Sequence, residues 1–338
     1  MNTVLQLLLT LGVILLAAEL FTNALEHLGE HLGISEGVTG SLFAAIGTAL
    51  PETLVPILAI AGSGRRESGI VGHEIGVGAI LGAPLMLSTL STCLMGFAAL
   101  HKRGLHGRIV PEPSGLARDL NVFLGAFGLA TAAMFVPHAL IAVRAAISAL
   151  LVLSYLLYIV MTFRASRRLV AIGHVTEAPS PLMLSRLRLR TGWPAIVTQL
   201  LLALVLLLGG AEGFIDGVRA ASTAFGISAL LLSLLVVPIA TELPEKVNSI
   251  LWVRRGRDTL AFGNITGAMV FQGTLLPALG ILLTPWEARV EVLTGVLATL
   301  AAALWTRLAL RGNRGIALWA LLINGALYFG YLSVMLAR

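Results

Sequence analysis

Ala45-Ile-Gly-Thr-Ala-Leu-Pro-Glu52 is written a second time in this chain, as Pro238-Ile-Ala-Thr-Glu-Leu-Pro-Glu245, at an offset of 193 residues (45 to 238). Both copies lie inside long apolar segments. A carboxylate there costs on the order of 2.5–3.5 kcal/mol unless something satisfies it, so two glutamates at matched positions require a cause. Thr48 and Thr241 stand four residues before Glu52 and Glu245, which puts hydroxyl and carboxylate on one helix face. The proline between them removes a backbone donor and frees a carbonyl. Each copy therefore offers a set of hard oxygen ligands of the kind that binds Ca2+ or Na+.

Working outward, the 338 residues are 57% hydrophobic and only 12% charged, about half the charge of an ordinary soluble domain. That composition implies a polytopic membrane protein. The net charge of +6 falls in short loops between apolar runs, where it acts as a topology signal rather than a nucleic-acid footprint. The single cysteine, Cys93, excludes an intramolecular disulfide, and no Cys/His spacing suggests a thiolate metal site. The start, Met1-Asn-Thr, has no basic leader and runs directly into an apolar segment carrying Glu19, which reads as a retained first span.

Ten spans are expected, at 3–24, 36–62, 69–99, 118–136, 138–163, 194–218, 226–252, 259–284, 288–309 and 315–336. The fold class that follows is an all-α polytopic membrane protein with ten transmembrane helices in two inverted five-helix repeats. Segments 36–62, 69–99, 226–252 and 259–284 carry internal Gly and Pro and read as tilted or broken helices at corresponding places in the two halves. Such pairs point to a transporter site near the bilayer midplane. Without a gap, Ala18-Glu19-x-Phe21 and Gly33-Ile-Ser35 overlie Ala211-Glu212-x-Phe214 and Gly226-Ile-Ser228. After a two-residue insertion, Gly72-His-Glu-Ile-Gly76 faces Gly263-Asn-Ile-Thr-Gly267, and Leu81-Gly82 faces Gln272-Gly273. An odd number of spans per half makes the halves inverted.

The expected domains are a first repeat at 1–165, a cytoplasmic basic linker at 166–192 and a second repeat at 193–338. With the N-terminus outside, sixteen Lys and Arg fall in inside loops, against five outside: Arg65, Arg66, Arg219, Arg289 and Arg338. The positive-inside rule then sets both termini outside. The linker, with Pro179-Ser-Pro181 and alternating Arg and Leu, reads as a connector lying on anionic headgroups. Trp193, Trp252 and Trp286 read as interfacial aromatics, and the glycines at 76, 78, 82, 263, 267 and 273 as close helix contacts. Arg144 lies within a span, facing the bundle interior or snorkelling outward.

On these residues the chain resembles the sodium/calcium exchanger superfamily of cation antiporters, in its prokaryotic form. Members carry a Gly-Thr-Ser-Leu-Pro-Glu-like segment in the second helix of each repeat, matched here by Gly47-Thr-Ala-Leu-Pro-Glu52 and Ala240-Thr-Glu-Leu-Pro-Glu245. A Gly-Asn-x-x-Gly-like segment in the third helix is matched by Gly72–Gly76 and Gly263–Gly267. The resemblance implies a central site between helices 2, 3, 7 and 8 that serves Ca2+ and a counter-ion alternately. It implies Glu52 and Glu245 as paired calcium carboxylates, Thr48 and Thr241 as hydroxyl or carbonyl ligands, and Gln272 at an acidic or amide ligand position. The chain departs from the pattern at Ala49, Glu242, Val77, Ala268 and Leu81, so several ligands of the family's sodium sites are missing.

Glu74, beside His73, reads either as an extra ligand or proton carrier or as a polar contact at a helix start. Glu19 and Glu212 read as packing or pathway residues. Glu242 and Lys246 form an i,i+4 acid-base pair whose counterparts are Ala49 and Thr53, as expected if each charge is tolerated because of the other. An ammonium there would stand near a monovalent cation position.

The function expected is secondary active exchange of Ca2+ or a related divalent cation for Na+ or H+ by alternating access. The alternatives are H+-coupled exchange of Mg2+, Mn2+ or K+, and a passive cation channel. The lost hydroxyls at Ala49, Val77 and Ala268 point toward H+ coupling. An intramembrane enzyme lacks its nucleophile-base or metal pattern, and a scaffold leaves the duplicated carboxylates unexplained. The expected partners are the transported cations and the lipid bilayer of a prokaryotic inner membrane. No resident cofactor and no nucleic acid is expected, and the sequence leaves monomer or homo-oligomer open.

Overall fold

Apolar runs of this length satisfy their backbone in lipid only as helices. The computed structural model, which describes residues 3–31, 45–62, 69–170, 181–187 and 192–337, is helical almost throughout. Helix α1 spans Thr3–His31 and α2 spans Ala45–Gly62. Then α3, Gly69–Met86, runs through a π-turn at Leu87–Ser91 into α4, Thr92–Arg103. Helices α5 (Pro113–Ala132) and α6 (Ile141–Val170) complete the first half.

In the second half α7 spans Trp193–Phe225, α8 Ala229–Thr241, α9 Leu243–Arg254 and α10 Asp258–Leu283. Helices α11 (Val290–Ala309) and α12 (Leu318–Leu336) follow. Seven helical stretches among the described residues are long and apolar enough to cross a membrane, so the chain is an integral membrane protein. The expected spans 36–62, 118–136 and 226–252 are not among those seven. Of the first, residues 36–44 lie outside the described residues. The second carries Arg118, Asp119 and Asn121 in its opening turns, and the third breaks at Glu242.

Several boundaries move for identifiable reasons. Helix α5 begins at Pro113, five residues before the expected 118, because Glu112 caps it: its carboxylate accepts the Ser114 and Gly115 amides at 2.9 and 2.6 Å. Helix α6 runs on to Val170, beyond the expected repeat boundary at 165. Residues 171–180 and 188–191 of the linker lie outside the described residues. The stretch 181–187 is docked on protein: Asn23 Oδ1 accepts the Met183 amide at 2.9 Å, Gln199 Oε1 accepts the Leu184 amide at 2.8 Å, and Leu182 is fully buried.

Small residues set the helix contacts. Helices α1 and α7 pair along Gly210, Gly213 and Gly217, which face Ile14, Thr10 and Leu7. Helices α3 and α8 come closer still. A side chain at Gly78 would meet Ser233 and the Leu230 carbonyl, and one at Gly82 would meet the Leu234 carbonyl and Pro238. This contact of backbone with backbone brings the two halves together at the level of the duplicated motif. The same role fails at Gly263, which faces open space, and at Gly267, where only the Tyr158 hydroxyl comes within ordinary contact.

The loops gather at two ends. At one end Arg103 makes a bidentate pair with Asp258 at 2.7 Å, Lys102 donates to the Arg254 carbonyl at 3.1 Å, and strand Arg108–Ile109 pairs antiparallel with Ile316–Ala317. At the other end Arg144, within a span as expected, is buried and faces inward. It donates to the carbonyls of Ile281, Thr284 and Pro285 at 2.5, 2.9 and 3.2 Å, the negative end of α10. Trp286 is not an interfacial residue: it is 1% exposed, and its indole donates to the Ala130 carbonyl at 2.9 Å.

Candidate ion site

The site grows from the break in the second copy of the motif. Pro244 has no N–H to offer the Ala240 carbonyl, and the helix axis is interrupted at Glu242 (φ −88°, ψ 3°), between the end of α8 at Thr241 and the start of α9 at Leu243. In the first copy, Pro51 likewise has nothing to offer the Gly47 carbonyl, and Glu52 follows on α2. These two turns face Gln272, in the middle of α10.

Gln272 ties the site together. Its Nε2 donates to Glu52 Oε2 at 2.6 Å and to Glu242 Oε1 at 2.8 Å, so residues 220 and 30 positions away in sequence meet on one amide. Glu52 is 5% exposed, and Glu242 and Gln272 are fully buried. The two carboxyl groups are close enough to act on each other's charge, and Glu52 also lies within Coulombic reach of Lys246. Among the described residues, no donor reaches Glu52 Oε1 or Gln272 Oε1. Buried acceptors without donors are costly, and oxygen acceptors in that condition suit a hard cation.

Two neighbours complete the arrangement. Thr241, 3% exposed, sends its hydroxyl back to the Val237 carbonyl at 3.2 Å. Lys246 is 7% exposed and donates from Nζ to the Pro238 carbonyl at 3.2 Å. Thr48 and Glu245 stand on α2 and α9 at the motif positions, but their side chains lie outside the described ones. Among the described residues, no group of three His, Cys, Asp or Glu side chains gathers as a metal cluster.

Of the residues singled out in the sequence, the structure joins Glu52, Glu242 and Gln272, with Thr241 beside them in the chain. Glu74 is held elsewhere: Arg289 Nη1 pairs with its Oε1 at 2.5 Å at a partly exposed position, and that bond holds the Arg289 guanidinium more firmly protonated. Glu19 and Glu212 are exposed on α1 and α7, away from the Glu52–Gln272–Glu242 group.

A second polar cluster escaped the sequence reading. Thr266 donates to Asp119 Oδ2 at 2.8 Å, Arg118 pairs with Asp119 Oδ1 at 3.2 Å, and the Arg118 guanidinium lies 5.8 Å from the centre of the Tyr158 ring. This cluster ties α5 and α6 to α10. The adjacent Arg118-Asp119 pair at the head of an apolar run was its only signal. Asn264 of the Gly263–Gly267 segment donates to Ser249 at 3.0 Å, joining α10 to α9.

A family model described as sodium/calcium exchanger protein matches residues 2–164 and 195–337. Inner membrane protein YrbG of Escherichia coli (strain K12) is 27% identical over 283 residues, 83% of this chain and 80% of its own. Putative antiporter CaxA of Alkalimonas amylolytica is 26% identical over 286 residues, 81% of this chain and 79% of its own. The crystal structure of the H+/Ca2+ exchanger CAX shares the fold, with a TM-score of 0.71 over 99% of this chain and 82% of that one, at 19% identity.

Proposed function

The chain belongs to the sodium/calcium exchanger family, and from that premise we propose that this cation antiporter exchanges Ca2+ or a related divalent cation for H+ or Na+ through the Glu52–Gln272–Glu242 site. The observation that carries the reading is the single Gln272 amide shared by two buried carboxyl groups from opposite halves of the chain. Bare carboxylates gathered in one buried site repel, and a divalent cation relieves the repulsion on arrival while protons or Na+ relieve it on the return. Those are the two loaded states that exchange needs.

In this reading Glu52 and Glu245 are the paired calcium ligands, Thr48 and Thr241 supply hydroxyl or carbonyl oxygens, and Gln272 contributes its Oε1. Glu74 serves the approach to the site from its ion pair with Arg289. The ten spans form two inverted repeats, 1–165 and 193–338, joined by a cytoplasmic linker. The basic loops at 102–118, 254–257 and 307–314 face the cytoplasm of a prokaryotic inner membrane, leaving both termini outside. The ions are cargo, and no resident cofactor takes part.

The coupling ion favoured is H+, because hydroxyl ligands are missing at Ala49, Val77 and Ala268. The test is uptake into proteoliposomes over Ca2+, Mg2+, Mn2+ and K+, with imposed pH or Na+ gradients. Divalent uptake should require a counter-ion on the opposite side, whereas uncoupled flux would mean a channel. Uptake driven by a Na+ gradient and indifferent to pH would overturn proton coupling.

A further inference from the structure

The second half of the chain carries a buried lysine that the exchange cycle just described does not use. Lys246 stands on α9, one turn beyond the break, and is 7% exposed. A buried ammonium costs several kcal/mol unless its donors are met and its charge is balanced. Here its Nζ reaches back eight residues to the Pro238 carbonyl at 3.2 Å. That carbonyl already accepts the Glu242 amide at 3.1 Å, so the ammonium takes its second lone pair. A backbone carbonyl at a helix break beside a carboxylate is how a monovalent cation is ordinarily coordinated within a membrane protein.

Comparison of the two halves sharpens the point. Positions 242 and 246 correspond to Ala49 and Thr53, and Pro238 to Ala45. The first half thus has the same Leu-Pro-Glu sequence without the acid and without the base, within a helix that runs from Ala45 to Gly62. The second half carries one carboxylate and one ammonium where the first carries neither, and their charges cancel.

We propose that the Lys246 ammonium is a tethered monovalent cation, filling a cation position at the Pro238 carbonyl that Glu242 balances. The proposal rests on the antiporter reading for its meaning in transport, since a fixed charge in place of a mobile ion removes one monovalent cation from each cycle. Its structural content stands apart from transport: deleting the ammonium leaves a carbonyl and a carboxylate arranged for a free alkali cation. Na+ and K+ both match the charge, and K+ is close to an ammonium in size.

The test uses detergent-purified full-length protein and reads thermal unfolding in choline chloride, NaCl and KCl at equal ionic strength. Wild type should melt alike in choline and KCl, and its melting in NaCl is the baseline for the variant in that salt. The Lys246→Met protein should melt lower in choline and gain a saturable stabilisation of at least about 3 °C from Na+ or K+, by mass action at the vacated position. A double variant, Glu242→Gln with Lys246→Met, removes both charges and should fold in choline with no alkali dependence.

Lys246→Met protein that melts like wild type in every salt overturns the proposal. So does a double variant no more stable in choline than Lys246→Met alone, since the two charges would then not be balanced against each other. The antiporter reading fails by a different observation, uncoupled or absent divalent flux in wild-type proteoliposomes, which leaves the melting result unaffected.

Discussion

The two halves of this chain spell the same Leu-Pro-Glu turn and then diverge in the residues around it. Ala49, Thr53 and Leu81 in the first half face Glu242, Lys246 and Gln272 in the second. The first half offers Glu52 from α2, whereas the second breaks between α8 and α9 and brings a carboxyl, an ammonium and an amide to the same place. The shared Leu-Pro-Glu sequence lies within one helix in the first half and at a helix break in the second. Among the described side chains, the second half brings more polar groups to the site than the first.

The comparison is broken most severely by removing Glu52, the carboxylate that the described first half brings to the site. Losing a charged ligand from a buried ion site costs roughly 3 kcal/mol, a factor of about 100. Glu52→Gln should therefore depress Ca2+ uptake into proteoliposomes about 100-fold while the protein still melts cooperatively. Uptake at the wild-type rate would mean that the second half binds the cation alone.

Making the halves alike at the amide is a smaller step. Gln272→Leu reproduces the first half's Leu81, removing the donor shared by Glu52 and Glu242. An expected loss of about 1.4 kcal/mol should raise the Ca2+ concentration for half-maximal uptake roughly tenfold. An unchanged half-maximal concentration would show that Gln272 is only packing.

The glycines give a comparison of stability. Gly82→Ala on α3 would drive a methyl into the Leu234 carbonyl and Pro238 of α8, an overpacking that costs about 1–3 kcal/mol. Gly263→Ala on α10 meets nothing and should be neutral or stabilising by up to about 1 kcal/mol. Melting temperatures in detergent should move in opposite directions, and equal losses at both positions would contradict the packing described for α3 and α8.

The smallest effect lies at two corresponding helix starts. Glu112 caps α5, while Arg289 at the start of α11 makes no side-chain cap and turns to Glu74. The Ser114 hydroxyl, with the Gly115 and Ser114 amides, holds the Glu112 carboxyl below its usual range. A depressed carboxyl stabilises the fold above its unfolded pKa, and that contribution is lost as pH falls through the folded value. Glu112→Ala should cost about 1 kcal/mol near neutral pH. The gap from wild type should narrow in acid below about pH 4, and a gap that widens there would reverse the sign of the argument.

Much of the architecture was legible because it is written in runs and repeats. Apolar length gives helices, Pro51 and Pro244 mark the duplicated motif, and Glu52 of that motif stands at the candidate site. The companions of those residues were harder to read. Arg144 and Trp286 looked like span or interface residues because the carbonyls that receive them, at Ile281 and Ala130, are more than a hundred positions away. Asp119 carried no motif, and its partner Thr266 looked like filler between two glycines. Gly267 and Gly76 matched in sequence yet only Gly76, against Ile60, packs closely, since spacing does not record which face a helix turns to its neighbour.

Equilibrium binding of radioactive Ca2+ to the purified full-length protein, wild type beside Glu52→Gln, tests the central claim most directly. The account predicts one Ca2+ per chain for wild type, displaced as the counter-ion concentration rises, and at least about 100-fold weaker binding for the variant with its fold intact. Wild-type affinity and stoichiometry in the Glu52→Gln protein would contradict it.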